Sequence, residues 1–151
     1  MLFCGLKNNL CVRMALDYLP ENVQESINYK VAFIMLNSDA CRLTSIIRDY
    51  KEVIIFSPWV FPYKNIHEND KEVRYYISCV LHEVAHIILK HKSPLNCSEQ
   101  ENDKQESDAD NLALKWFNGH ISGEISPLSI EEIRDHQERN RRRIELFLGW
   151  A

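Results

Sequence analysis

The apolar positions of the chain change period several times, and each change marks an element. Over 8–18 the spacing is helical, with Leu10, Met14 and Tyr18 on one stripe, and Pro20 ends the element. Residues 21–28 can form a second short helix. The period then shortens: Val31 to Leu36 is an unbroken apolar run rich in β-branched and aromatic residues, which predicts a buried strand. Asn37, Ser38 and Asp39 signal a turn, and 41–47 alternates unevenly as a second strand. After a polar turn at 49–52, Val53 to Phe56 predicts a third strand that Pro58 stops. Short turns between three strands predict an antiparallel meander.

The second half of the chain reads as helices. A long one begins with Asn69 or Asp70 as its N-cap, has Glu72 in its first turn, and runs to about Lys92, before Pro94. Lys90, His91 and Lys92 sit in its last turn, where positive charge suits the helix dipole. Ser98-Glu99-Gln100-Glu101 has capping-box spacing and opens a helix to about Phe117, with Asn118-Gly119 as the C-cap signal. Gly123 and Pro127 mark a loop before a last helix from Ser129 to Leu148. The expectation is one α+β domain over 1–151: an N-terminal helical segment 1–29, a core 30–117, and a C-terminal helix 129–148.

The long helix carries His82-Glu83-Val84-Ala85-His86, the pattern H-E-x-x-H. Residues i and i+4 stand one above the other on a helix, so both imidazoles can bind one ion. Glu83 leans to the same side without being a ligand. It is the candidate general base, able to take a proton from water that a metal has acidified. Ile77, Val80, Leu81, Val84, Ile88 and Leu89 make this helix largely buried, so its polar residues need partners. The plain alternative is two core histidines with ordinary hydrogen bonds. Glu106 is the expected third ligand. On its helix it shares a stripe with Ala109, Asp110, Ala113 and Phe117, while Asp108 faces the other way. The alanines would let the two helices approach, and Asp110 could accept the free N–H of a ligand histidine. Glu101 and Asp103 are weaker alternatives, and His91, one turn after the motif, reads as a helix-end residue facing the dipole with a metal role as its lesser alternative. Two His and one Glu suit Zn²⁺.

The segments HEVAHIILKH and ESDADNLALKWF resemble the ImmA/IrrE family of metallopeptidases, which pair an HExxH helix with a later glutamate-bearing helix. The resemblance covers about residues 30–117. It implies a zincin-like fold of the gluzincin type, with the E-x-x-x-D segment Glu106 to Asp110 supplying the third zinc ligand. Asp108 stands where the family often has Glu, and Leu112 near its usual Phe. The implied activity is hydrolysis of a peptide bond in a specific protein, such as a helix-turn-helix transcriptional repressor, releasing stress or mobile-element genes of phage type. The alternative is a non-catalytic binding module, a sensor or inhibitor on the same scaffold. The intact Glu83 favours the enzyme.

Composition narrows the surroundings. A net charge of -4 argues against general nucleic-acid or membrane-surface binding. The one basic cluster, Arg139 to Arg143, lies among acidic residues and reads as a solvated, ion-paired helix face. Five cysteines without a C-x-x-C pair fit a reducing cytoplasm, and Cys79 reads as a small core residue. The first residues lack the apolar core of a signal peptide, and Leu2 to Gly5 only faintly resemble a lipidation site. No apolar run is long enough to cross a bilayer. Donors for a tetrahedral oxyanion could come from Tyr75, Tyr76, His67 or His120. Trp59 to Tyr63 read as core packing, with a groove lining as the other use, and strand 41–47 is a candidate edge for an extended substrate.

Overall fold

The computed structural model describes residues 2–4, 10–35, 52–56, 71–120 and 125–148. Strand β1 (Leu2–Cys4) leads to helices α1 (Leu10–Asp17) and α2 (Glu21–Ile27), which return the chain to β2 (Val31–Met35). Strand β3 (Glu52–Phe56) is followed by three longer helices: α3 (Lys71–Leu89), α4 (Glu99–Gly119) and α5 (Ile130–Leu148). A single 3₁₀ turn, Pro94–Asn96, lies between α3 and α4.

The sheet differs from the expected antiparallel meander. Its order is β1-β2-β3 and both pairings are parallel, with Phe3 opposite Phe33 and Phe33 opposite Ile54. The segments read as the first and third strands of a meander are thus direct neighbours. A parallel pairing needs a crossover of about a dozen residues or more. The stretch 36–51 is long enough for one, and the expected strand 41–47 falls within it, outside the described residues. Local alternation signals a strand but says nothing of its partner. The three-residue β1 was also not foreseen, being too short to show a period.

The run Val31 to Ile34 is apolar throughout because β2 lies between two strands and is buried on both faces. Val31 and Phe33 point into the main core, where Phe33 stacks on Phe56 at 6.4 Å between ring centroids. Ala32 and Ile34 are buried on the other face, while Ile55 of β3 is exposed. Against this sheet the core gathers Val12, Ala15 and Leu16 of α1, Val23 and Ile27 of α2, and the apolar stripe Val73, Ile77, Val80, Leu81 and Val84 of α3. From α4 come Ala109, Ala113, Trp116 and Phe117. Among the described residues, no helix is long and apolar enough to cross a membrane.

Capping fixes where the helices start. The Ser98 side chain accepts from the Glu101 N–H, and the Glu101 carboxylate accepts from the Ser98 N–H, the expected capping box. Ser129 and Glu132 do the same for α5. The C-terminal signals behave differently. α3 stops at Leu89 rather than Lys92, because Lys90 takes a left-handed conformation at φ 57. Asn118 remains inside α4, and its amide makes two hydrogen bonds to the backbone of Leu128, pinning the loop that returns to α5. Arg74, buried on α3, donates to the carbonyls of Ser126 and Pro127 and so holds the same loop from the other side. α5 then docks through Ile133 and through His136, which stacks on Tyr75 at 4.4 Å.

Candidate metal centre

The helix pair α3 and α4 brings His82, His86 and Glu106 together. One ligand-type atom from each lies within 4.8 Å of the others. His82 Nε2 and His86 Nε2 are 2.9 Å apart. The two oxygens of Glu106 stand 3.3 Å from His82 Nε2 and 3.7 Å from His86 Nε2. Bonds of about 2.0–2.1 Å in a tetrahedral shell put neighbouring ligand atoms roughly 3.3 Å apart. The three separations lie around that figure, the two from Glu106 belonging to its two different oxygens, so the trio is of the size that a tetrahedral ion needs. Ala85, Ala109 and Ala113 are fully or almost fully buried, and their small side chains let the helices approach closely.

The partners of the ligand atoms are as informative as the atoms. His82 Nδ1 lies 2.8 Å from Asp110 Oδ1, so this nitrogen donates to the carboxylate and Nε2 is the nitrogen left to face the site. This is the place expected for Asp110. Burial by itself would lower the His82 pKa, but the hydrogen bond and charge of Asp110, helped by Glu83 and Glu106, hold it above the ordinary histidine value. For His86, burial and the neighbouring His82 prevail over Glu106, and its pKa falls below that value. The two rings are therefore shifted in opposite directions. The Glu106 side chain is 47 % exposed, which leaves one side of the trio open to solvent.

Glu83 lies beside His82 and makes none of the close contacts of the ligand set. Its side chain keeps access to solvent, yet the protein packed around it strips part of its water, and this partial desolvation, opposed by His82 and reinforced by Glu106, pushes its pKa up. A carboxylate so placed is a better proton acceptor than an ordinary one. A cleft of about 130 Å³ runs alongside, lined by Cys79, His82, Glu83, Asp110, Ile133 and Gln137 among others. Burial pushes the Cys79 thiol up to about 12, so it keeps its proton, but the residue is half-buried and lines the cleft rather than sitting within the core as expected.

The other candidates are placed elsewhere. Tyr75 and Tyr76 are buried with Ile133 under α5, outside the cleft lining. His120 caps the far end of α4 against Tyr18. At a rise of about 1.5 Å per residue that is roughly 20 Å from Glu106. His67 and the aromatic segment Trp59 to Tyr63 lie outside the described residues. Glu101 is engaged in the cap and with Lys92, and Asp103 is exposed. Arg139, Arg141 and Arg142 pair with Asp135 and Glu138, an ion-paired face as expected. Sequence reasoning missed two features: the wall that α5 gives the cleft through Ile133 and Gln137, and a contact of 2.9 Å between His91 Nδ1 and His86 Nδ1. On a continuous helix, residues five apart do not face each other, so nothing in the helical pattern flags that contact.

Comparison with protein-family models, characterised proteins and solved structures finds no match to this chain.

Proposed function

We propose that this chain is a zinc-dependent endopeptidase of the ImmA/IrrE type that cuts a peptide bond in a specific protein substrate. The observation that carries the reading is the convergence of His82, His86 and Glu106 at tetrahedral spacing, with Glu83 beside them and Asp110 behind His82. A Zn²⁺ ion held by the three would act as a Lewis acid on the scissile carbonyl and acidify water at the open side. The protein's own residues supply the rest. Asp110 keeps His82 turned with Nε2 into the site. Glu83 takes a proton from the attacking water at its carboxylate and passes it to the nitrogen of the leaving amine, so water is consumed and one acid and one amine are released. The raised pKa of Glu83 suits both transfers, since the carboxyl must accept and then give up the same proton. The cleft along α3 and α5 supports a substrate side chain beside the reacting bond. A helix-turn-helix repressor is the substrate class that the sequence resemblance points to.

The test is cleavage of an unfolded protein and of candidate repressors by the zinc-loaded chain, followed by mass spectrometry. Glu83→Gln should cut at least about 100-fold more slowly while still holding zinc. Equal cleavage by Glu83→Gln would assign the activity to a contaminant, and no cleavage of any substrate by zinc-loaded wild type would contradict the enzyme reading.

A further inference from the structure

The end of α3 is built in an unusual way. Lys90 adopts φ 57, a left-handed conformation that costs a lysine about 1 kcal/mol or more. The turn is closed by the His91 N–H, which donates to the His86 carbonyl at 3.0 Å. It folds His91 back over the last helical turn and sets its ring against that of His86, at 4.9 Å between centroids and 75° between planes. The residue after it is clamped. The Lys92 N–H donates to Gln105 Oε1 at 2.7 Å, and the Gln105 amide donates back to the Lys92 carbonyl at 3.2 Å. Gln105 stands next to Glu106 on α4, so the helix that carries the third ligand also fixes the backbone that carries His91.

The chemistry of the contact sets its direction. Two imidazole nitrogens at 2.9 Å need one N–H and one lone pair between them. His86 Nε2 faces His82 and Glu106 and must present a lone pair if it is to bind an ion. The His86 proton then resides on Nδ1, and His91 Nδ1 is the acceptor.

We propose that His91 is the positioning residue of His86, holding its ring and tautomer for the ion as Asp110 does for His82. The inference rests on the metal-site reading above and extends it. Each ligand histidine has its own hydrogen-bond partner, and the two partners differ in kind: a carboxylate from α4 for His82, and a ring from the turn after α3 for His86. Lys90, through its left-handed turn, and Gln105, through its two bonds to Lys92, bring His91 to its place.

The experiment measures Zn²⁺ affinity by competition with a chromophoric chelator for wild type, His91→Ala, His91→Asn and Glu106→Ala. Long-range proton–nitrogen NMR of the zinc-loaded proteins reads the His86 tautomer. His91→Ala should bind zinc about 10–100-fold more weakly. His91→Asn, whose amide oxygen can accept near the lost Nδ1, should recover most of that loss. In zinc-loaded wild type, His86 should be metallated at Nε2 and protonated at Nδ1. If Glu106→Ala loses zinc while His91→Ala binds as tightly as wild type, or if His86 is metallated at Nδ1, this inference is overturned and the metal site stands. If wild type binds no zinc, the metal site falls, and the role of His91 with it.

Discussion

The two halves of α4 meet the rest of the protein in opposite ways. Its second half enters the core with Ala113, Trp116 and Phe117, and Phe117 stacks on Tyr18 at 5.0 Å with nearly parallel rings. Its N-terminal stretch, ending at Asp110 just past the midpoint, turns Glu106 and Asp110 towards two histidines of α3. The apolar half is where α4 gains stability. The polar half gathers groups that a core would not choose, and each is satisfied by another member of the same set rather than by backbone. On the function proposed above, the polar half serves an ion and the apolar half serves folding.

The largest effect should come from the apolar half. Phe117→Ala is expected to lower folding stability by roughly 3–5 kcal/mol in denaturant melts. Glu106→Ala in the zinc-free protein should shift stability by less than about 0.5 kcal/mol, because the carboxylate is 47 % exposed. Equal losses at the two positions would erase the contrast.

A smaller effect sharpens the polar half. Asp110→Asn should weaken zinc binding about 10–100-fold and lower the His82 pKa in the zinc-free protein. The sign follows from the raised His82 value. Its charged form is favoured by the fold, so this contribution to stability is complete below the ordinary histidine pKa of about 6.5 and is lost as pH rises through the folded value. Zinc needs the uncharged ring, so binding should tighten over the same rise. An NMR titration checks this, and a His82 that titrates identically with and without the Asp110 carboxylate would refute it.

Much of this contrast was legible from residue order alone. The H-E-x-x-H spacing and the stripe holding Glu106, Asp110 and Ala113 are properties of a single helix, and a helix has one period. The capping box at Ser98 and Glu101 is likewise local. What depended on other segments was not legible. Strands β2 and β3 look alike whether they pair parallel or antiparallel, because partner choice is set by how the chain returns over the sheet. The end of α3 was misplaced because its left-handed residue is Lys90, where glycine or asparagine would have announced the turn. The lysine at that position also hid the contact of His91 with His86.

The smallest expected effect tests that turn. Lys90→Gly should raise stability by about 0.5–1 kcal/mol, since glycine accepts the left-handed conformation without the steric cost of a side chain. A loss of stability in thermal melts would mean that the turn is not strained.

The most direct test of the central claim is the zinc content of the purified, zinc-equilibrated chain, measured by plasma mass spectrometry beside Glu83→Gln and Glu106→Ala. About one zinc per chain is expected in wild type and in Glu83→Gln, and little or none in Glu106→Ala. A wild-type chain that holds no zinc, or a Glu106→Ala chain that holds as much as wild type, would contradict the claim.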